Sequence, residues 1–235
     1  MIRGLLFDKD GTLFDFQATW GGWAQRLIRH LAGADPALLA EMEARLAFDT
    51  ETGKFLPGSP IIASTSRELA DIIHPLLTGW TLADLTRHMV TTAAEAESVE
   101  VTPLVPLFTA LADMGLKIGL ATNDGEVAAR AHLHRAGITR FFDMIMGFDT
   151  GFGGKPAPGM CHAFADAMDL PAHQIAMIGD SLHDLDAGRA AGMMTIGVLT
   201  GPATRVDLEP HADYVLTDIS ELPDFVSNYR AIHTL

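Results

Sequence analysis

Four short segments of this 235-residue chain combine acids, a hydroxyl group and a lysine. They are Asp8-Lys9-Asp10-Gly11-Thr12, Thr122-Asn123, Gly154-Lys155-Pro156 and Gly179-Asp180-Ser181-Leu182-His183-Asp184. The first, second and fourth directly follow apolar runs that are typical of buried strands, and the third is predicted to open a helix. Active sites of open α/β sheets lie beyond the carboxyl ends of the strands, so these side chains are expected to meet at one edge of a sheet.

The carboxylate of Asp8 is the candidate nucleophile, because it follows the first strand and is ionised at neutral pH. Attack on a phosphoryl group needs cations, and Mg²⁺ would supply one. Lys155 is expected to neutralise the charges of Asp8 and of the bound phosphate. Mg²⁺ prefers oxygen ligands, which favours Asp8, Asp180 and the backbone carbonyl of Asp10. Asp184, one helical turn beyond Asp180, either binds the metal or holds its waters.

Two further roles follow from spacing. Asp10 lies two residues after Asp8 and is expected to protonate the leaving oxygen and then to deprotonate water. Thr122 and the backbone amides of Asn123 and Asp124 are predicted to open a helix whose N–H groups hold phosphate oxygens.

Each segment also has a purely structural interpretation as a turn or a helix start, but the four together favour catalysis. A Walker A loop is excluded by Asp149 and Pro156, which stand where it needs Gly and Ser or Thr. An EF-hand at Asp8 lacks its third acid and final Glu, and no Gly-x-Gly-x-x-Gly follows the first strand. His132 and His134 are predicted to point to different faces of a helix, which disfavours a zinc site.

The four segments resemble the motifs of the haloacid dehalogenase superfamily of phosphatases. Asp8 to Thr12 is similar to the first motif, with its nucleophile and acid/base. Thr122 is similar to the second, Lys155 to the third, and residues 179–184 to the fourth. The Gly-Lys-Pro-x-Pro form and the position of an insert resemble the phosphoglycolate phosphatase-like subgroup. The resemblance implies Mg²⁺, an aspartyl-phosphate intermediate and closure of a cap over a small phosphorylated metabolite.

Strands and helices alternate after about residue 100, which predicts an α/β fold with a doubly wound, mostly parallel, Rossmann-like sheet. One of these helices is predicted over 156–168, with proline at its first position. Residues 17–98 instead show four helical patterns with no convincing strand between them. The predicted domains are a Rossmann-like core of residues 1–16 and 99–235 and an inserted α-helical cap of residues 17–98.

The polar stretch 48–60 joins two cap helices and is predicted to choose the leaving group. Lys54 would meet an anionic or hydroxylated group, with Phe55 or Trp23 excluding water, and a plain surface turn is the alternative. Other functions stay open. They are a phosphomutase acting on a sugar phosphate, which Thr12 disfavours, a phosphonate hydrolase using Lys54, and a non-enzymatic phospho-receiver module.

The composition of the chain limits which binding partners and which cellular compartment are expected. Thirty acidic residues against 16 basic ones give a net charge of −14, and no basic stripe appears, so neither nucleic acid nor an anionic membrane is expected as a partner. The single cysteine, Cys161, cannot form an internal disulfide, and no leader-like segment is visible, so a cytoplasmic protein is expected. The sequence is compatible with a monomer or a homodimer.

Overall fold

A six-stranded parallel sheet forms the centre of the molecule, for which the computed structural model describes residues 1–62 and 64–232. The described strands are β1 (Gly4–Phe7), β2 (Phe48–Asp49), β3 (Lys54–Phe55), β4 (Lys117–Ala121), β5 (Met144–Met146), β6 (Ile175–Gly179), β7 (Met194–Val198) and β8 (Tyr214–Leu216). The described helices are α1 (Phe16–Ala32), α2 (Pro36–Leu46), α3 (Ser66–Ile73), α4 (Leu82–Ala93), α5 (Leu104–Asp113), α6 (Glu126–Arg135), α7 (Gly159–Met168), α8 (Leu182–Ala190), α9 (Arg205–Leu208) and α10 (Leu222–Ile232).

The strand order of the sheet is β5-β4-β1-β6-β7-β8, and every neighbouring pair is parallel. The chain therefore adds β4 and β5 on one side of β1 and then returns to add β6, β7 and β8 on the other. The order reverses at β1, and this reversal opens a crevice at the carboxyl ends of β1, β4 and β6. The predicted α/β fold with a doubly wound, parallel sheet is confirmed.

Both faces of the sheet are buried, which explains why its strands are almost continuously apolar. Side chains alternate between faces along β1, so that Leu5 and Phe7 pack on the side of α5 and α10, whereas Leu6 packs on the side of α7. Phe7 lies with its ring centroid 5.3 Å from that of Phe108 on α5. Burial of a side chain of this size stabilises the fold by about 1.5–3 kcal/mol.

Between β1 and α5 the chain forms helices α1 to α4, which pack around a hydrophobic cluster separate from that of the sheet. The chain enters and leaves this insert through two adjacent segments, where Asp15 N donates to Val99 O and Val101 N donates to Leu13 O. These crossings lie close to the predicted domain boundaries, which stay a prediction. None of the described helices combines the length and the apolarity needed to cross a membrane.

The expectation that the insert contains no strand is wrong, because β2 and β3 form a short antiparallel hairpin. Its turn is built by Asp49, whose carboxylate accepts hydrogen bonds from the amides of Glu51 and Thr52. Phe48 pairs with Phe55 across the hairpin, with ring centroids 5.0 Å apart. Strands of two residues are too short to show an alternating pattern in sequence.

Two helices begin later than predicted. Helix α7 starts at Gly159 and not at Pro156, and the Lys155–Pro156 peptide bond before it is cis. Helix α6 starts at Glu126, so residues 123 and 124 lie in the preceding loop. In that loop Asp124 N donates to the Thr122 hydroxyl oxygen, and its carboxylate accepts from the next amide. Such local side-chain hydrogen bonds compete with helix formation.

Candidate active site

A cavity at the carboxyl ends of β1, β4 and β6, which we call the site cavity, is lined by residues from all four sequence segments. Asp8 follows β1, Thr122 follows β4 and Asp180 follows β6, while Lys155 and Asp184 reach it from the loop before α7 and from the first turn of α8. All five side chains are buried. The cavity volume is about 70 Å³, whereas one water molecule needs about 10–15 Å³. The site cavity therefore has room for a small molecule.

Lys155 bridges two of the acids. Its Nζ lies 2.5 Å from Asp8 Oδ1 and 2.5 Å from Asp184 Oδ1. Burial by itself would lower the pKa of Lys155, but the carboxylates of Asp184 and Asp8 outweigh this effect and raise it. The lysine is therefore a permanent cation, which suits charge neutralisation and not proton transfer.

The backbone of Lys155 is held by a side chain whose role the sequence did not reveal. The amide of Lys155 donates to Asn123 Oδ1 at 2.8 Å, and Asn123 Nδ2 donates to the carbonyl of Lys155 at 2.9 Å. These paired bonds connect the loop after β4 to the loop before α7. Asn123 was predicted to bind phosphate through its backbone amide, and the structure adds a positioning role for its side chain.

Asp8, Asp180 and Asp184 form the acidic cluster of the site, with one oxygen of each within 4.8 Å of the others. Burial raises the pKa of Asp8, against the opposing effect of Lys155. Burial and the neighbouring carboxylates of Asp184 and Asp8 also raise the pKa of Asp180. One lysine therefore does not balance three acids. Hard oxygen ligands with excess negative charge fit Mg²⁺.

The positions of two carboxylates in this cluster depend on local backbone structure. The Oδ2 atom of Asp184 accepts hydrogen bonds from the amide and hydroxyl of Ser181, as the capping box of α8. Gly11, at φ +81°, and Gly201 both touch the carboxyl group of Asp180, and a Cβ atom on either would overlap it. Glycine is thus required at both positions for the loops to close around Asp180.

Lys9 is the largest feature of the site that the sequence interpretation missed. Its side chain is fully buried, and its Nζ lies 3.0 Å from Asp10 Oδ2 and 2.9 Å from Asp124 Oδ2. The ammonium group also lies 4.9 Å from the ring centroid of Trp20 on α1. Burial would lower the pKa of Lys9, but the two carboxylates raise it. The charge of Asp124 is therefore matched by a buried cation.

His132 completes this group from α6. Its Nδ1 lies 2.9 Å from Lys9 Nζ, and its Nε2 lies 3.0 Å from the carbonyl oxygen of Ala93. An ammonium group can only donate and a carbonyl can only accept, so Nδ1 must be the acceptor and Nε2 must carry the proton. Burial, followed by the charge of Lys9, lowers the pKa of His132 to about 2. The ring is therefore neutral.

The two carboxylate oxygens of Asp10 differ in their partners, because only Oδ2 forms an ion pair. Oδ2 pairs with Lys9, and the side chain of Trp20 also donates toward this carboxyl group. Oδ1 is buried and has no hydrogen bond of normal geometry among the described residues. Burial raises the pKa of Asp10 although Lys9 opposes the shift. A carboxyl group that lines the cavity, with a raised pKa and an unused oxygen, suits a general acid and base.

The predicted cap residues are placed differently from one another. Trp23 lines the site cavity. Lys54 is exposed on the hairpin and is not among the residues that line the cavity, and Phe55 packs against Phe16, with ring centroids 5.0 Å apart. The structure therefore brings Trp23, but neither Lys54 nor Phe55, to the other predicted site residues. Trp20 faces the cavity as well and was not predicted.

Comparison with known families agrees with this geometry. The family model of haloacid dehalogenase-like hydrolases matches residues 2–192 of the chain. The matched range contains every predicted core residue of the site and the whole insert. The match confirms the resemblance that was drawn from the four sequence segments.

Relatives of similar length carry phosphatase names. A phosphoglycolate phosphatase of Rhodospirillum rubrum is 28% identical over 226 residues, which are 96% of this chain and 91% of that protein. A glyceraldehyde 3-phosphate phosphatase of Methanocaldococcus jannaschii is 25% identical over 240 residues, which are 98% and 99% of the two chains. A crystal structure of a predicted phosphoglycolate phosphatase from Haemophilus somnus has a TM-score of 0.75 at 17% identity, covering 96% of this chain and 98% of that one. This last likeness shows the fold.

Removal of the Lys9 charge should destabilise the protein strongly. Lys9→Met leaves Asp10 and Asp124 buried without their cation, and breaking a buried pair from one side costs about 3–5 kcal/mol. The measurement is the free energy of unfolding in urea. Lys117→Met is the matched control, because Lys117 pairs with Asp143 at the surface, where such a pair contributes about 0–1 kcal/mol. Equal losses in the two variants would contradict the proposed charge balance, and adding Asp124→Asn to Lys9→Met should recover part of the loss.

His132 should make stability depend on pH below neutrality. Its folded pKa of about 2 lies below the ordinary value of 6.5, so its contribution is complete above pH 6.5 and is lost progressively as the pH falls. Wild type should lose about 2 kcal/mol more than His132→Gln between pH 7 and pH 5. Urea unfolding at the two pH values measures this difference. The exposed His134 on the same helix is the control for the substitution, and a His132→Gln variant with the wild-type pH dependence would show that this ring is not held neutral.

Proposed function

Because the chain belongs to the haloacid dehalogenase-like hydrolases, we propose that it is a Mg²⁺-dependent phosphatase acting on a small phosphate monoester. The observation that carries the proposal is the buried cluster of Asp8, Asp180 and Asp184, bridged by Lys155 at 2.5 Å. The phosphatase names of two relatives that match nearly the whole chain support the same reaction class. A buried, unpaired Cys161 supports a cytoplasmic location.

In the proposed reaction Asp8 attacks the phosphorus atom with one carboxylate oxygen. An aspartyl-phosphate forms as the bond to the leaving oxygen breaks, and water then attacks the phosphorus and frees Asp8. Lys155, next to Asp8, neutralises charge on the transferring group. The hydroxyl oxygen of Thr122 accepts from the amide of Asp124, so its own proton is directed to a phosphate oxygen in the cavity.

Asp10 is the proposed proton carrier for both steps. It gives its proton to the leaving oxygen, which departs as a neutral alcohol, and it then takes a proton from the attacking water. Lys9 fixes one oxygen of Asp10 by a 3.0 Å ion pair and leaves the other facing the reaction. Trp20 and Trp23 in the roof of the cavity exclude bulk water, which would otherwise compete for these protons.

Mg²⁺, when bound, would supply Lewis-acid neutralisation of the phosphoryl oxygens. Asp8, Asp180 and the backbone carbonyl of Asp10 are the proposed ligands. Asp184 shares its oxygens between Lys155 and the capping box of its helix, which favours a supporting position around the metal. Hard oxygen donors and a deficit of positive charge are the features of this chain that fit the ion.

The alternative functions differ in what they require of the cap. A phosphomutase would use the same core residues and transfer the phosphoryl group to a sugar instead of water. A phosphonate hydrolase would need a reactive cap lysine, and Lys54 lies outside the cavity lining. A phospho-receiver module has no use for an enclosed cavity beneath a helical insert. The position of Lys54 thus favours phosphatase chemistry over phosphonate cleavage.

Metal removal tests the proposed function directly. Dialysis against EDTA should abolish release of inorganic phosphate from para-nitrophenyl phosphate, and Mg²⁺ should restore it, because the acidic cluster repels the substrate without a cation. Phosphate release is measured colorimetrically, with Ca²⁺ as the comparison ion. Full activity after exhaustive chelation would remove the metal from the proposal.

Substitution of the two acids of the first segment tests their separate roles. Asp8→Asn removes the nucleophile and should leave almost no turnover. Asp10→Asn should slow phosphate release by about 10²–10⁴-fold, the usual contribution of a positioned acid or base. The exposed Asp166→Asn serves as the matched control and should retain full activity. Wild-type turnover in Asp8→Asn would exclude the covalent mechanism.

A further inference from the structure

We propose that the leaving group of the natural substrate is an uncharged and largely apolar alcohol. This inference rests on the proposed phosphatase function and concerns the half of the site cavity that the reaction itself does not use. The core half carries the acidic cluster and Lys155, and it handles the phosphoryl group. The cap half must therefore contact whatever is attached to the phosphate, and its chemistry identifies that group.

The cap half of the cavity is apolar. It is lined mainly by the side chains of Phe16, Trp20, Trp23, Ile61, Leu69 and Ala93. These residues come from α1, the turn before α3, α3 itself and α4, so the apolar surface surrounds the leaving group on several sides. An apolar wall favours apolar surface on its ligand by about 25 cal/mol per Å² removed from water.

The two lysines at the cavity in the described part of the chain are already paired with acids. Lys155 is bound between Asp8 and Asp184, and it is the only lysine or arginine among the described residues that line the cavity. Lys9 is fully buried against Asp10 and Asp124. A carboxylate on the leaving group would find no counter-ion here.

The cations of the cap point elsewhere. Lys54 is exposed on the hairpin, and Arg45 and Arg67 form exposed ion pairs with acids on their own helices. Arg87 also pairs with an acid on its own helix, and Arg29 donates to the carbonyl oxygen of Thr50. None of the described lysines and arginines of residues 17–98 lines the cavity. An anionic leaving group therefore cannot be neutralised by the cap in this arrangement.

The N-terminus of α3, on the cap side of the cavity, already has an acidic side chain of the protein beside it. Helix α3 begins next to Ser66, and helix N-termini attract anions. Here the carboxylate of Glu68 already accepts from the amide and hydroxyl of Thr65 as a capping box. The amide of Thr65 thus already faces a negative charge that belongs to the protein, and this charge disfavours a second anion at the same place.

Negative charge on the core side strengthens the selection. Asp10 and Asp124 both line the cavity, and Asp10 is the proposed proton donor to the leaving oxygen. A carboxylate on the leaving group would be desolvated near these two acids, and burying an unpaired charge is strongly unfavourable. Ser64, Ser66 and His183 are the polar side chains on the lining that could serve a hydroxyl or carbonyl oxygen. A neutral group with one such oxygen matches what the cavity offers.

Matched substrates test the inference on the wild-type enzyme with Mg²⁺. Glyceraldehyde 3-phosphate and propyl phosphate should have a kcat/KM at least about tenfold above that of 3-phosphoglycerate, which carries a carboxylate in the same place. The kcat/KM for butyl phosphate should exceed that for ethyl phosphate, whereas the kcat/KM for 2-phosphoglycolate should be lower than that for ethyl phosphate. The same compounds are also ranked as inhibitors of para-nitrophenyl phosphate hydrolysis. The same order of inhibition would show that binding, and not the reactivity of the leaving group, sets the ranking. Equal or faster turnover of 3-phosphoglycerate and 2-phosphoglycolate, the two substrates that carry a carboxylate, would overturn the inference.

A cation placed in the cap should reverse the preference. Ser64→Lys should raise kcat/KM for 3-phosphoglycerate relative to glyceraldehyde 3-phosphate by about tenfold or more. Ser98→Lys, on the cap but outside the site cavity, adds the same charge and should leave the ratio unchanged. An unchanged ratio in folded Ser64→Lys would overturn the placement of the leaving group. If circular dichroism shows that this variant does not fold, the wild-type ranking decides alone.

Two further outcomes keep the inference separate from the proposed function. If no monoester, para-nitrophenyl phosphate included, releases phosphate with Mg²⁺, the proposed function fails and takes the inference with it. If the carboxylate substrates are turned over well and only His183→Gln loses that activity, the side chain of His183 is the anion-binding group. The phosphatase would then stand while the inference of an uncharged leaving group would be overturned.

Discussion

The balance of buried charge in the site cavity is the constraint on which the rest of the structure depends. Five carboxylates line the cavity, from Asp8, Asp10, Asp124, Asp180 and Asp184. Two lysines, Lys9 and Lys155, are buried against them. Isolated buried charges are strongly unfavourable, so each carboxylate must have a cation, a proton or hydrogen-bond donors. The two lysines and the capping box of α8 provide several of these partners, and the glycines at Gly11 and Gly201 let the loops close around Asp180.

The two lysines divide this balance into two parts with different purposes. Lys155 joins Asp8 to Asp184 and belongs to the phosphoryl half of the site. Lys9 joins Asp10 to Asp124 and also contacts Trp20 and His132, so that it connects the acid/base to α1 of the insert and to α6 of the core. The position of Asp10, the proposed proton carrier, is thereby coupled to the packing of the insert against the sheet. In the phosphoryl half a net negative charge remains, which is where a divalent cation fits.

The insert contributes shape and apolar surface to the cavity, and no charge. Its aromatic residues Trp20 and Trp23 meet edge to face, with ring centroids 5.2 Å apart, above the acids of the core. Charge is thus concentrated on the core side, where the phosphoryl group is proposed to bind, and the cap side is mainly apolar. Under the proposed function, this separation would let a chain with a net charge of −14 act on an anion, because only the phosphoryl group would approach the acids, together with Lys155 and a divalent cation.

Local sequence determined the strands, because strands that are buried on both faces are continuous apolar runs in the sequence. It therefore also determined the places of Asp8, Thr122 and Asp180, which directly follow such runs. It also indicated that Lys155 and Asp184 lie near these three residues, since parallel strands end at the same edge of the sheet. It could not show that Asp124 and His132 lie against Lys9, because they are 115 and 123 residues away along the chain. Nor could it show that Lys54 turns away from the cavity, since the two-residue strands of its hairpin carry no periodic pattern. Only the tertiary structure decides such contacts, because burial and pairing of a charge depend on which distant segments pack around it.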